Sequence, residues 1–191
     1  MIPSSLKGKE LENLLLSAAE REELKGMLTL SRYGVQGVTF NGKTILVPSL
    51  PDLEGVLHGG RQIIIEAKAV AGSSFPLKDD HFRARQYTHM VRRARFGALC
   101  FLVIHFAERN LITKREPGMT VAVPVDERID FWRYYEAGEA KSLSRDESLR
   151  VGKIVPWVVP ARCRKALPDL LSFLAPDIKS KTELFLFSNS L

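Results

Sequence analysis

The chain has 191 residues, 45% apolar and 26% charged, which is the make-up of an ordinary folded domain and excludes wholesale disorder, collagen-like repeats and long coiled coils. Its longest nearly uncharged run, 96–106 (FGALCFLVIHF), is roughly half of the 20 or so apolar residues a membrane span needs, so a soluble protein with no membrane partner is expected. Lys plus Arg number 28 against 22 Asp plus Glu, a net charge of +6 that favours a polyanionic partner. The N-terminus turns charged before an apolar signal core can form. The two cysteines, Cys100 and Cys163, are too few for a disulfide framework, so reduced thiols and a cytoplasmic location are expected.

In chain order, Ser4 and Ser5 can cap a helix over Lys7–Lys25, where Leu11, Leu14, Leu15, Ala18 and Ala19 recur at spacings of three and four. Two β-prone runs, Val35–Phe40 and Lys43–Val47, flank Asn41-Gly42, a dipeptide suited to a tight hairpin turn. A second hairpin is predicted from Asp52–His58 and Arg61–Lys68 around Gly59-Gly60; its Ile63-Ile64-Ile65 triplet lacks alternation, as a strand covered on both faces does. Gly72–Pro76 reads as a loop, Asp79–Arg95 as a helix under many charges, and Ala98–Phe106 and Thr120–Pro124 as strands. Helices are predicted over Asp126–Glu139, over Ser144–Arg150 behind a Ser144/Glu147 capping box, and over Arg164–Leu174; Lys179–Leu191 reads as an edge or tail. With no internal repeat, low-complexity segment or linker, this order predicts one mixed α/β domain over 1–191, with a core at about 7–125 and peripheral elements beyond.

The chemistry is concentrated between Asp52 and Lys68. Glu66 lies fourteen residues after Asp52, and Lys68 two residues further, so Glu66 and Lys68 project to the same face of one strand. If Gly59-Gly60 closes the hairpin, Asp52 near the start of one strand returns beside Glu66 near the end of the next. Two carboxylates and an ammonium then share a few ångströms. Such oxygens suit Mg²⁺, or Mn²⁺ in its place, while the lysine can orient or help deprotonate an attacking water and stabilise charge developing on a phosphate. An acid-x-lysine triplet alone usually marks only where a strand meets solvent; the surrounding order gives this one its meaning.

That order, Pro51-Asp52, a Gly-Gly hairpin, Glu66-x-Lys68 and Gln86 on a following helix, resembles the PD-(D/E)xK nuclease signature, whose restriction-endonuclease-like core runs αβββαβ. Residues Pro48–Val56, Ile65–Lys68, Phe75-Pro76-Leu77, Gln86 and the strand to Phe106 are similar to the core of the RecU-type Holliday junction resolvases. Lys7-Gly8-x-x-Leu11-Glu12 is similar to that family's Arg-Gly-x-x-Leu-Glu opening, and Lys141-Ser142 through Pro156 to its C-terminal segment. The resemblance implies a homodimeric, Mg²⁺-dependent endonuclease that nicks two opposed strands of four-way DNA junctions, leaving 5′-phosphates. It implies Asp52 and Glu66 as metal ligands with the Ala67 carbonyl, Lys68 as the catalytic lysine, Gln86 beside the metal or scissile phosphate, and Glu12 as an acidic contributor and further ligand. Two departures stand out: Leu50-Pro51 precede Asp52 where the family places hydroxyl residues, and 33–47, the region matching the family's stalk, is short.

Lys78, Arg83, Arg85, Arg92, Arg93 and Arg95 face only Asp79 and Asp80 in their stretch, a basic run that a solvated helix face or a DNA contact explains equally. Lys7 joins these as an expected DNA contact, and Arg162, Arg164 and Lys165 form a smaller basic group. His58, His81, His89 and His105 have no ligand spacing, and no phosphate loop or dinucleotide fingerprint is present, which argues against a zinc site, an ATP-driven motor and a redox enzyme. Two rival readings remain at this point. One is a repair or restriction-type nuclease of the same superfamily, cutting flapped, nicked or duplex DNA. The other is a DNA-binding recombination accessory protein without catalysis.

Overall fold

The computed structural model describes residues 6–33, 36–40, 43–47, 51–77, 82, 84–161 and 165–174, with 36–40 and 43–47 given by backbone alone. Helix α1 (Gly8–Glu23) is followed by β1 (Leu28–Arg32), the pair β2 (Gln36–Phe40) and β3 (Lys43–Val47), and the hairpin β4 (Leu53–Leu57) and β5 (Gln62–Val70). Strand β6 (Ser74–Pro76) leads to α2 (Ala84–Arg95) and β7 (Leu99–Phe106), then to β8 (Arg109–Asn110), β9 (Arg115–Glu116) and β10 (Met119–Pro124). After these come α3 (Asp130–Glu136), β11 (Ser142–Ser144), α4 (Arg145–Val151), β12 (Lys153–Ile154), β13 (Trp157–Val158), β14 (Leu167–Pro168) and α5 (Leu171–Leu174).

Six strands form one mixed sheet in the order β1-β4-β5-β7-β10-β12. Only β5 and β7 are parallel, and α2 lies in the crossover that such a pair requires. Burial follows strand alternation. Leu28, Leu53, Leu57, Ile63, Ile65, Ala67, Phe101 and Val103 pack with Leu11 and Leu15 of α1 on one face. Ile64, Leu102, Ile104, Val121 and Val123 pack with Tyr87, Met90 and Val91 of α2 on the other, together with Trp132 of α3. The predicted double covering of the isoleucine triplet is borne out, since Ile63, Ile64 and Ile65 are all fully buried.

Two glycine features shape the β4–β5 hairpin. Gly59 and Gly60 turn it with φ of 90° and 85°, a region that side chains with a Cβ rarely adopt. Gly55 lets β1 close on β4, because a Cβ there would stand 1.9 Å from the Thr29 carbonyl oxygen.

Several expectations need correction. The first helix begins at Gly8, one residue after the expected start, with extended Lys7 at its cap, where the Lys7 N–H donates to Glu10 Oε2 at 3.0 Å. Leu28–Arg32 is a strand that the sequence reading omitted, although Leu28 and Leu30 alternate with polar Thr29 and Ser31. Within the expected loop Gly72–Pro76, Ser74–Pro76 pairs with Ser142–Ser144, a long-range partner that local sequence does not announce. The expected helix Asp126–Glu139 is trimmed to Asp130–Glu136. In place of a helix over Arg164–Leu174, Leu167–Pro168 pairs with Trp157–Val158 and only Leu171–Leu174 is helical, because Pro168 lacks the N–H a continuous helix would use. Ser144 does cap α4, accepting from the Glu147 N–H at 3.0 Å. Phe40 stands opposite Lys43, leaving the predicted two-residue connection between β2 and β3. The expectations at Ser4, Ser5, Asn41-Gly42, Lys78–His81, Arg83, Arg162 and Arg164, and over 179–191, lie outside the described residues.

Candidate active site

The antiparallel register of β4 and β5 places Leu53 opposite Ile65, so Asp52, one residue before β4, meets Glu66. The Asp52 N–H donates to Glu66 Oε2 at 3.1 Å, and the Ala67 N–H donates to Asp52 Oδ2 at 2.9 Å. Because the N–H and C=O of one strand residue point to the same neighbour, the Ala67 carbonyl is carried to the flank where β4 has ended. Alternation sets Glu66 and Lys68 on the α2 face, the face of Ile64. There the Lys68 ammonium pairs with Glu66 Oε1 and lies 3.7 Å from Asp52 Oδ2. Gln86, in the first turn of α2, donates from Nε2 to the same Glu66 Oε1 at 2.6 Å.

This geometry sets the local electrostatics. Glu66 is fully buried, and desolvation followed by the neighbouring Asp52 charge pushes its carboxyl up to about 7, against the opposing pull of Lys68. Burial pulls the Lys68 ammonium down, but Glu66 and then Asp52, with Glu12 further off, outweigh it and hold it above its ordinary value. Lys68 is thus a cation at neutral pH. The cluster has two carboxylates facing one another and one ammonium between them, a donor set of hard oxygens that fits a divalent cation such as Mg²⁺.

The other expected residues are placed as follows. Glu12 stands on α1, on the opposite side of the sheet, where its Oε2 lies 3.6 Å from Arg32 Nε and Arg32 also donates to Asn13 at 2.6 Å. Among the described residues no three His, Cys, Asp or Glu side chains gather where they could hold a metal ion; the Glu12 charge nevertheless acts on Lys68 and helps to hold its ammonium above the ordinary value. Lys7 is exposed at the start of α1. Arg85 and Arg92 are exposed and Arg93 half-buried along α2, and neither Arg92 nor Arg93 has an ion-pair partner among the described residues. Arg95, by contrast, is locked to Glu127. His105 is fully buried with Nδ1 2.9 Å from Thr120 Oγ1, a core histidine, while His58 is exposed. Among the described residues no helix is long and apolar enough to cross a membrane.

Sequence reasoning missed Tyr33, whose N–H donates to the Asp52 carbonyl at 3.1 Å and whose ring meets that of His89 edge-on at 6.2 Å. The alternation that betrays β1 was the available signal. A cavity of about 570 Å³ opens at the other end of the sheet, lined by Arg61, Cys100 and the Val125–Arg128 turn. Its charged groups include the pairs Arg95–Glu127 and Arg128–Asp126, which satisfy each other, so the reactive cluster is elsewhere.

The fold and the cluster define a class: a mixed α/β protein with an acid–acid–lysine group at the end of a strand pair and a helix donor above it. The chain matches the model of the Recombination protein U family, RecU, over residues 39–160, and belongs to that family. It is 32% identical over 109 residues to the Holliday junction resolvase RecU of Geobacillus kaustophilus, covering 56% of this chain and 49% of that one. It is 31% identical over 108 residues to the resolvase RecU of Bacillus pumilus (56% and 46% of the two chains). To that of Listeria innocua it is 30% identical over 111 residues (58% and 50%). The chain thus spans about half the length of the curated relatives it matches.

Proposed function

We propose that this protein is a metal-dependent endonuclease that resolves four-way DNA junctions by paired nicks. The observation that carries the reading is the convergence of Asp52, Glu66, Lys68 and Gln86 at one strand end, within a chain that belongs to the RecU family. The order α1, β1, β4, β5, α2, β7 is that of the restriction-endonuclease-like core, which supports assigning the fold to that group.

In this proposal Asp52 and Glu66, with the Ala67 carbonyl, hold Mg²⁺ or Mn²⁺. A divalent cation in that position supplies Lewis acidity toward the phosphate and lowers the cost of ionising water. The protein's own groups do the rest. Gln86 fixes the Glu66 carboxylate so that its oxygens face Asp52, and the Ala67 N–H fixes Asp52. Lys68, kept cationic, orients the attacking water and stabilises negative charge developing on the phosphate oxygens, which favours those roles over deprotonation. The water oxygen joins phosphorus, the bond to O3′ breaks, and O3′ takes up a proton, leaving a 5′-phosphate and a 3′-hydroxyl. Arg85, Arg92 and Arg93, with Lys7, Lys78 and Arg83, supply phosphate contacts that carry affinity.

Two opposed nicks require two sites, and a two-fold homodimer matches the symmetry of the junction. We infer such a dimer of single-domain chains acting in the cytoplasm of a bacterial or phage-infected cell. The test is cleavage of a labelled four-way junction beside a linear duplex of matched sequence, with Mg²⁺ and with chelator. Metal-dependent symmetric nicks in the junction alone are expected. Asp52→Asn, Glu66→Gln and Lys68→Ala each abolish them while binding stays within several-fold. Equal cutting of the duplex would point to a repair or restriction-type nuclease, and binding without cutting to an accessory protein.

A further inference from the structure

The register of β1 on β4 leaves part of the sheet uncovered beside the reactive cluster. Thr29 pairs with Val56 and Ser31 with Glu54, and the same alternation sets Tyr33 level with Asp52. These residues lie on the α2 face, since their neighbours Leu28, Leu30, Leu53 and Leu57 pack against α1 on the other. Yet α2 covers β5 and β7 and stops short of β1: Thr29 and Ser31 are exposed, and Val56 is 44% exposed. The result is an open trough about two strands, or about 10 Å, wide and about 16 Å long. Its floor is Thr29, Ser31 and Val56, and Asp52 lies at its head.

The wall of the trough is the α2 edge. Gln86, His89 and Arg93 are spaced three and four apart and so form one stripe, beginning at the donor to Glu66. His89 meets Tyr33 across the trough and feels Glu54 from the floor and Arg92 and Arg93 from its own helix. His89 Nε2 and Arg93 Nε are buried with no hydrogen-bond partner among the described residues, and none of these residues offers Arg93 a carboxylate to neutralise it. A half-buried guanidinium without an anion is costly. The missing partner is therefore anionic and lies in the trough. β1 ends the sheet, so its outer edge, and not the trough floor, is where a peptide strand would add; the trough itself offers a sheet face beside a cation.

We propose that the trough holds a few nucleotides of the DNA strand flanking the cut, with Arg93 on a phosphate and the Tyr33–His89 pair as the platform against which a base stacks. This inference rests on the nuclease reading and adds to it the path of the strand and two positioning residues. Base stacking on an aromatic ring tolerates any sequence, so the platform would set where the strand lies without choosing what is cut.

The test is a directed photo-crosslink in the full chain with Cys163→Ser. An aryl azide is attached at Ser31→Cys in the trough, or at Ser17→Cys, exposed on α1 behind the sheet. Each is irradiated with a labelled four-way junction in chelator, and the unmodified protein with Mg²⁺ maps the cut. Crosslinks from position 31 to nucleotides next to the cut bond, and none from position 17, are expected. Tyr33→Leu and Arg93→Gln should each raise KM about tenfold with little change in kcat, and Tyr33→Phe should restore it. A protein that cuts the junction but crosslinks no better from 31 than from 17, or that keeps its KM in Tyr33→Leu, overturns the trough. A protein that binds and cuts no DNA overturns the nuclease reading itself, and the trough with it.

Discussion

The buried carboxylate of Glu66 makes folding stability depend on pH in a way that Glu66→Gln should erase. Burial and Asp52 raise this carboxyl from its ordinary 4.5 to about 7. Between those values the folded chain retains a proton that the unfolded chain has released, so folding is favoured at the acid side and loses stability as pH rises. The loss runs at about 1.4 kcal/mol per pH unit inside the window and levels off above pH 7, amounting to about 2–3 kcal/mol between pH 5 and 8. Because Asp52 stands beside Glu66, the proton that Glu66 retains can be shared with the Asp52 carboxylate. Glutamine keeps the shape of the side chain and removes its titration. Urea unfolding in chelator at pH 5, 6, 7 and 8 should therefore give wild-type stability that falls relative to Glu66→Gln by about 2–3 kcal/mol across the series. Mg²⁺ at pH 8 should recover stability in wild type and leave the variant unchanged, since only the ionised carboxylate pair offers the cation its oxygens. Parallel pH profiles for the two proteins would refute the account of Glu66 as a desolvated carboxylate.

Replacing Arg92 and Arg93 together should weaken binding to every DNA shape and lower the slope of log affinity against log salt by about 1.8, about 0.9 for each phosphate that is no longer neutralised, as fluorescence anisotropy across a salt series would reveal; an unchanged slope returns both residues to a solvated helix face. Gly55→Ala should cost roughly 1–3 kcal/mol, because its Cβ would run into the backbone of Thr29 and Leu30 and one strand must shift, and an unaltered melting temperature would remove the close approach of β1 and β4 as a constraint. Light scattering should give twice the chain mass at micromolar concentration, whereas a monomer both free and on the junction would favour a single-nick nuclease.

Much of the reactive cluster was legible in the sequence because it is built from short-range pairing. The turn at Gly59-Gly60 makes one hairpin of two adjacent runs, and with a period of two that hairpin alone decides that Asp52 meets Glu66 and that Lys68 shares its face. The uniformly apolar triplet Ile63–Ile65 likewise declared a strand buried on both sides. Gln86 could be named only through its place in a family pattern, since its distance to Glu66 depends on how the crossover lays α2 on the sheet. Glu12 is a different case: its helix was legible, but which side of the sheet the helix covers was not; α1 packs on the face opposite Glu66, from where the Glu12 charge still acts on Lys68. The pairing of Ser74–Pro76 with Ser142–Ser144 and the open β1–β4 face were also beyond the sequence. Local periodicity determines which residues share a face of one element, because it follows from backbone geometry over a few bonds. Which faces are then covered is decided by contacts between segments far apart in the chain, and only the packed tertiary structure contains those.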